Sequence, residues 1–233
     1  MSDRDDVRRR IIDAAAALLR SDGRDAVTTR AVSAAAGVQP PTIYRLFTDM
    51  NGLLDAVASD GFARYLEQKH NLALSDDPVE DLRTGWDTHI QFGLENPAHY
   101  LLMYGQPTPG HRSEAAERAL QRLRMLVERI AVAGRLLVDV ETAVSMVHAA
   151  GVGLTLSFIE MPPADRDLSL IGRMRDATFA AIIATEPSSP STVTQRAVGF
   201  KAVLDDVVDL YSPGERALLD ELLDRVASKA SPL

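Results

Sequence analysis

The sequence has no cysteine among its 233 residues. This absence excludes disulfides, zinc thiolate sites, iron–sulfur clusters and a cysteine nucleophile, and it suits a reducing compartment. The opening residues alternate charges and contain no apolar run of signal-peptide length, so we expect a cytoplasmic protein. Internal repeats and low-complexity tracts are also missing, while 46% of the residues are hydrophobic. That content is enough for an ordered chain with a packed core.

The motifs of common enzyme classes are missing too. The sequence has neither a G-x-S-x-G nucleophile elbow nor an H-E-x-x-H zinc motif. Gly151-Val152-Gly153 lacks the third glycine and the preceding strand of a dinucleotide-binding loop. The five histidines, which have no metal-ligand spacing, are His70, His89, His99, His111 and His148. We therefore predict no enzyme, and no catalytic residue, metal site or cofactor.

Acidic residues outnumber basic ones, and the formal net charge of −8 argues at first against a nucleic-acid partner. The charge is unevenly distributed, however. Residues 1–52 hold eight arginines and seven aspartates, whereas the rest of the chain holds 17 basic and 26 acidic groups. Four of those arginines lie in the first ten residues, where they also fit a solvated helix start. The asymmetry is a weak indication that one part of the chain contacts a polyanion.

Apolar residues recur at helical spacing along almost the whole chain, and no set of short alternating runs indicates a sheet. We therefore predict an all-α fold. The clearest helix starts are Asp77-Pro78, Asn96-Pro97 and the capping box from Ser212 to Glu215. A first helix is predicted to end at Gly23, and further helices to cover about 28–36, 41–47, 49–71, 78–95, 97–104, 113–134, 140–160, 168–185, 192–211 and 213–229.

The segment Thr142–Ile159 contains 18 residues without a formal charge, which is close to the length that spans a bilayer. It also carries hydroxyl and imidazole side chains and has no basic cluster at either end. We therefore favour a helix packed between its own domain and a second subunit over a membrane span, and we expect no membrane partner. Small residues between 149 and 153 allow close helix approach there.

Residues 28–47 have the outline of a helix-turn-helix. Thr28 caps the first helix of this motif, Gly37 makes the turn, and Val32, Ile43 and Phe47 are expected to be buried. The opposite face, with Thr42, Tyr44 and Arg45, then faces outward, where a short helix can enter a major groove. An ordinary helical hairpin is the alternative that spacing alone leaves open.

The sequence resembles the TetR family of bacterial transcriptional regulators over about residues 7–66. The elements that carry the resemblance are Ile11-Ile12-Asp13-Ala14-Ala15, Gly23, Thr28-Thr29-Arg30, Gly37-Val38, Thr42-Ile43-Tyr44-Arg45-Leu46-Phe47 and Leu53-Leu54. The resemblance implies a homodimeric repressor of double-stranded operator DNA, released by a small-molecule inducer. It divides the chain into a three-helix DNA-binding domain at 1–52 and a larger helical ligand-binding and dimerisation domain at 53–233.

The resemblance also assigns the DNA-contacting residues. They are Thr28, Thr29, Arg30, Gln39, Pro40, Pro41, Thr42, Tyr44 and Arg45. Thr28 and Tyr44 would contact phosphate, while Arg30 can reach a guanine through its bidentate fork. Simple helix capping is the alternative for each threonine, and a core aromatic is the alternative for Tyr44.

Two positions depart from the family. Most relatives have Ser or Thr where Gln39 stands, so the cap of the recognition helix is expected to be weaker here. Most relatives also have a phosphate-binding Lys where this chain has Met50, at the first position of the fourth helix. The missing lysine predicts lower DNA affinity than in typical relatives, unless Arg8 to Arg10 compensate for it.

Candidate ligand contacts are methionines, aromatic residues and a histidine on the helices of the second domain. They are Trp86, His89, Phe92, Tyr100, Met103, Tyr104, Met125, Met146 and Phe158. A plain hydrophobic core is the alternative for each, and the sequence does not identify the inducer. A helical interaction protein that does not bind DNA remains the alternative function for the whole chain.

Overall fold

The computed structural model describes residues 3–68, 74–105, 112–184 and 193–228. In these ranges the chain is all-α, as predicted, with one isolated antiparallel bridge between Leu136 and Ile183. The α-helices are α1 (Asp3–Asp22), α2 (Thr29–Ala36), α3 (Pro40–Phe47), α4 (Met50–Gln68), α5 (Pro78–Glu95), α6 (Pro97–Tyr104), α7 (Glu114–Val132), α8 (Val140–Glu160), α9 (Ser169–Ile182), α10 (Val193–Ala202) and α11 (Pro213–Ser228). Short 3-10 helices cover Arg24–Ala26, Pro163–Asp165 and Leu204–Leu210.

Most predicted helix starts are confirmed by their caps. The Val79 backbone N–H donates to Asp77 Oδ1 over 3.0 Å at the start of α5. At the start of α11 the backbone N–H of Ser212 donates to Glu215 Oε2 over 2.9 Å, which completes the capping box. Asn96 starts α6 as predicted but does not cap it, since its side-chain amide donates to the Phe92 carbonyl at the end of α5.

The predicted helix at 192–211 is wrong in one respect, because it breaks after Ala202 and continues as a 3-10 helix with a non-helical Val207. This stretch, VLDDVVDL, is rich in Asp and β-branched residues, whose helix propensity is low. The predicted end of the fourth helix near Asn71 lies outside the described residues. So do residues 106–111 and 186–191 of the proline-containing loops predicted from Gln106 to Arg112 and from Glu186 to Ser191.

The chain forms two compact units. The first comprises the described residues among 1–73, 91–119 and 158–160, and helices α5, α7 and α8 contribute residues to both units. In the first unit, α1 to α4 share a hydrophobic core, against which Ala98 and Leu102 of α6 pack. The buried residues that link these four helices include Ile11, Ala15, Leu19, Val32, Ile43, Phe47, Leu53 and Val57.

The second unit comprises the described residues among 74–90, 120–157 and 161–233. Its core includes an edge-to-face pair of Trp86 and Phe179, whose ring centroids lie 6.2 Å apart. After α9 the chain turns to extended backbone, and Ala184 donates its N–H to the Arg135 carbonyl over 2.9 Å. This short pairing joins the end of α9 to the segment that follows α7.

Helix α8 is long and apolar enough to cross a membrane, by length and composition alone. Its most apolar 18-residue window has a mean hydropathy of 1.5, and 33% of that window is buried in the chain. Thr155, in the middle of the helix, is fully buried and donates its hydroxyl to the Gly151 carbonyl over 2.8 Å. A single helix of this kind does not indicate a membrane protein.

Candidate nucleic-acid interface

Helix α2 is built as the sequence predicts. Thr28 has extended backbone angles, and its Oγ1 accepts the Ala31 N–H over 3.2 Å, which satisfies one of the free donors at the helix start. The helix ends at Gly37, which has φ 65° and ψ 40°. This left-handed conformation costs glycine little and other residues much more, so Gly37 permits the turn toward α3.

Helix α3 starts at Pro40, one residue earlier than predicted. A proline suits this first position because its missing N–H would have no partner there anyway. Gln39 makes no side-chain hydrogen bond to the helix start, which confirms the weak cap. Ile43 and Phe47 are buried, so the face with Pro41 and Arg45 is left exposed.

A pair of hydroxyl groups joins the two helices of the motif. The Tyr44 Oη and Thr29 Oγ1 atoms lie 3.1 Å apart, and either hydroxyl can donate to the other. Tyr44 is 48% exposed, which excludes the alternative of a core aromatic. The pair lies at the amino end of α2, where backbone N–H groups and the helix dipole favour an anion.

Two arginines on this surface are not engaged by carboxylates. Among the described residues, neither Arg30 nor Arg45 takes part in an ion pair, and both are exposed. Arg9 and Arg64, elsewhere in the same unit, are held by Asp60 at 2.9 and 2.7 Å. Free guanidinium groups beside the hydroxyl pair are available to phosphates or base edges. Of the nine predicted DNA-contacting residues, only Thr29 and Thr42 are partly buried.

The joint between α3 and α4 is tight. Thr48 has φ 69° and ψ −53°, and the Asp49 N–H donates to the Phe47 carbonyl over 2.8 Å, which is the geometry of a γ-turn. Asp49 Oδ1 then accepts the Gly52 N–H over 2.8 Å and caps α4. A Cβ atom on Gly52 would lie 2.1 Å from the Phe47 carbonyl oxygen. The need for glycine at position 52 was not predicted from the sequence, because its only local signal is a glycine in the first turn of a helix.

Met50 is the first residue of α4, as predicted from the Asp49 cap. Its side chain is partly buried and packs against the core of α1 to α4. The residue therefore contributes apolar contact where most relatives are expected to carry a lysine.

Five of the nine predicted ligand contacts lie in the first unit, where most of them are core residues. Phe92, Tyr100, Met103 and Phe158 are buried, whereas Tyr104 is partly buried. The centroid of Tyr100 lies 6.3 Å from that of Phe92 and 4.7 Å from that of Tyr104. These side chains pack on each other, so ligand contact there would need them to move apart.

The other four lie in the second unit, and two of them come together. Trp86 and His89 on α5 both face Gly151 of α8, since a Cβ there would contact them at 3.6 and 3.5 Å. Trp86 Nε1 is buried without a hydrogen-bond partner among the described residues. Burial, and then the nearby His148, lowers the pKa of His89 to about 4. Met125 on α7 is partly buried, and Met146 lies on the exposed face of α8.

The described residues include no group of three or more acidic or histidine side chains that could hold a metal ion. The surface of α2 and α3 offers hydroxyl and guanidinium donors. The arrangement is suited to binding a polyanion.

Comparisons with known proteins agree with this geometry. Residues 11–57 match the family described as bacterial regulatory proteins, tetR family. The fold is similar to a TetR transcriptional regulator of Streptomyces coelicolor, with a TM-score of 0.56 and 19% identity over 96% of each chain. It is also similar to a TetR-family regulator of Haemophilus influenzae Rd, with a TM-score of 0.54 and 16% identity over 79% of this chain and 100% of the other.

A protein of unknown function from Rhodococcus sp. RHA1 shares the fold as well, with a TM-score of 0.61 and 22% identity over 76% of this chain and 96% of the other. None of the curated proteins matches the chain. The segment that matches the family contains the whole of α2 and α3, the two helices that carry the exposed hydroxyl and guanidinium groups. By this segment and by its all-helical fold, the chain is similar to the tetR family of bacterial regulatory proteins.

Proposed function

We propose that the chain is a cytoplasmic repressor, not an enzyme, that binds an inverted-repeat operator as a homodimer and is released by a small molecule. The observation that carries this proposal is the surface of α2 and α3, where the Thr29–Tyr44 hydroxyl pair lies beside two exposed arginines without carboxylate partners. Hydroxyl and guanidinium donors bind phosphate and base edges. An acidic protein could also bind to such donors, but it would not require them to lie on a short helix that fits a major groove.

In this proposal residues 1–52 form the DNA-binding part. The hydroxyl pair contacts a backbone phosphate, and Arg45 and Thr42 approach the groove from the exposed side of α3. Pro40 offers apolar contact to a thymine methyl, while Gln39 suits adenine. Thr28 and Pro41 complete the set, and Arg30 reaches a guanine or a phosphate from α2.

The dimer is proposed to form through α8. Its exposed face is free of formal charge from Thr142 to Ser157, and it includes Met146, Ala149 and Gly153. Small side chains allow a second helix to approach closely, and a two-fold axis places the same face on both partners. This contact would cover the apolar surface that the chain itself leaves open.

The inducer is proposed to bind in the second unit at Trp86 and His89. The buried indole N–H of Trp86 has no partner among the described residues, which costs free energy. A ligand that supplies an acceptor would form the missing hydrogen bond. Because His89 is neutral at pH 7, it can accept or donate without adding charge. We therefore expect a mostly apolar molecule with at least one hydrogen-bond acceptor.

Selection of bound duplexes from a random DNA library tests the proposal. The protein should enrich an inverted repeat, and Arg45→Ala should lower affinity for that repeat by about 1–3 kcal/mol if Arg45 pairs with a base. Arg225→Ala, which removes an exposed arginine of α11, is the matched control and should change nothing. Failure to enrich any sequence, or equal losses in the two variants, would contradict DNA recognition by α3.

A further inference from the structure

A cleft of about 400 Å³ lies in the first unit among α1, α4 and the start of α7. This volume falls in the range of small-molecule sites. Its floor is apolar and consists of Ile12, Ala56 and Ala63, while charged side chains of α1 and α7 form its rim. Apart from Arg8 and Arg9, none of the residues considered above for DNA or inducer contact lines it.

The hydroxyl of Ser59 marks the cleft as a polar site. Ser59 is 8% exposed and lines the cleft, and its Oγ has no hydrogen-bond partner among the described residues. A buried polar atom without a partner costs free energy, so it usually has an explanation in a ligand, an ion or a water. The oxygen is buried as it stands, so a rotation about the Ser59 χ1 bond would be needed to turn it toward a molecule held in the cleft, which would then supply the missing partner.

Three acidic and three basic side chains line the cleft, so the sign of ligand that it favours depends on which of them is without a partner. Each acidic side chain of the lining is already engaged: Asp60 holds Arg9 and Arg64, Glu114 pairs with Arg118, and Asp5 makes a further contact. Arg8 differs, because among the described residues it has no carboxylate partner. Its guanidinium carbon lies 5.1 Å from the centroid of the Phe47 ring, and its N–H groups donate to no other side chain or carbonyl among the described residues.

We propose that this cleft binds a small oxyanion with a short apolar body, either a carboxylate or a phosphate monoester. The anionic head lies between the Arg8 guanidinium and the Ser59 hydroxyl, and Arg118 at the rim can exchange Glu114 for it. The apolar body lies on the Ala56 and Ala63 floor. Because no residue of α2, α3 or the second unit lines the cleft, the proposal does not rest on the proposed function.

Saturation-transfer NMR on the full chain tests the proposal with four probes of the same length at constant ionic strength. The probes are butyrate, monobutyl phosphate, n-butylamine and 1-butanol. Butyrate or monobutyl phosphate should give a saturable signal at millimolar concentration. The probe with the lower dissociation constant then identifies the head group as a carboxylate or a phosphate. Butylamine and butanol should give none. An equal response to butylamine, or no saturable response to either anion, would overturn the proposal.

Variants locate the signal. Arg8→Gln should weaken anion binding by about tenfold, since a charge-assisted hydrogen bond is lost. Ser59→Ala should weaken it by a few fold without lowering the melting temperature, because the hydroxyl removed has no partner in the free chain. Ala63→Leu should fill the floor and abolish binding.

Arg10→Gln is the control of equal charge, since Arg10 is exposed on α1 and does not line the cleft. It should leave the dissociation constant unchanged. If Arg10→Gln weakens binding as much as Arg8→Gln does, the anion is held by the general charge of α1 and the site does not exist.

Discussion

Single residues at the α3–α4 joint carry constraints that their neighbours do not. Thr48 is the only non-glycine residue with positive φ among those described, and a β-branched side chain is rarely found there. Gly52 is needed for a different reason, since the Phe47 carbonyl occupies the place of its Cβ. Both constraints come from backbone contacts, so neither can be relieved by a change of side-chain rotamer.

Gly52→Ala should therefore destabilise the protein. The added Cβ meets a backbone oxygen, and the joint must shift at a cost of about 1–3 kcal/mol. Urea denaturation measures this loss. Gly214→Ala on α11 is the matched control, because a Cβ there meets nothing within 4 Å, and it should be neutral or stabilising. Equal unfolding midpoints for Gly52→Ala and the unmodified chain would contradict the close approach.

Met50→Lys should tighten binding to operator and random DNA alike. Residue 50 is the first of α4, beside backbone N–H groups that favour phosphate, and lysine would add a charge to that contact. Each added phosphate contact steepens the log affinity against log salt slope by about 0.9, so a dimer should gain roughly two units. Met161→Lys, at an exposed methionine of the second unit, should leave the slope unchanged. A slope that stays the same in Met50→Lys would show that α4 does not face DNA.

At the scale of elements, helix starts could be predicted because each depends on a few adjacent residues. Thr28, Asp77 and Ser212 make the cap hydrogen bonds that their positions indicated. The hydrogen bond of the Asn96 side chain could not be predicted in this way, because Asn96 lies between the end of α5 and the start of α6 and can bond to either. The contact of Gly52 with Phe47 and the cleft at Ser59 depend on tertiary packing, and no local pattern encodes them.

The packing of α5 on α8 predicts a loss of stability in mild acid. The pKa of His89 is about 4 in the folded chain and about 6.5 in the unfolded one, so the unfolded state binds more protons between these values. The contribution of His89 to the free energy of unfolding is fully present above pH 6.5. It falls as the pH approaches 4, by at most about 1.4 kcal/mol per pH unit. Buried His99, whose pKa is also lowered by burial and by Arg20, adds to the same slope.

Urea midpoints measured from pH 7 to pH 5 test this dependence, because the carboxylates whose pKa is lowered, such as Asp81, lose their contributions only below about pH 4. His89→Gln should flatten the slope, whatever its effect on stability at pH 7. An identical slope in His89→Gln would mean that the imidazole is solvated in the folded chain.

At the scale of the whole molecule, helix α8 has an apolar face that the described part of the chain does not cover. Two thirds of its most apolar window is not buried by the chain, and this surface has no formal charge over its length. Water-exposed apolar helix faces of this kind mark protein–protein contacts. The family resemblance predicted a homodimer, and the sequence pattern placed its contact on the same helix.

Met146→Arg should break the proposed dimer, because a two-fold contact would place two new charges in one apolar interface. Met146 is 36% exposed in the single chain, so the variant should still fold. Sedimentation velocity at micromolar concentration should show a monomer for Met146→Arg. Leu74→Arg, at another exposed apolar residue, should remain a dimer. A dimer in both variants would place the subunit contact elsewhere.

The tight α3–α4 joint has a mechanical consequence. Since the Phe47 carbonyl lies against the backbone at Gly52 and Asp49 caps the next turn, we expect α3 to follow any rotation of α4 as a rigid body. The eight residues of α3 span about 12 Å, so a 10° rotation about the joint moves the far end by about 2 Å. Hydrogen bonds to bases tolerate only a few tenths of an ångström. A small angular displacement of α4 would therefore be enough to move Gln39 and Pro40 away from the bases proposed for them, while every helix stays folded.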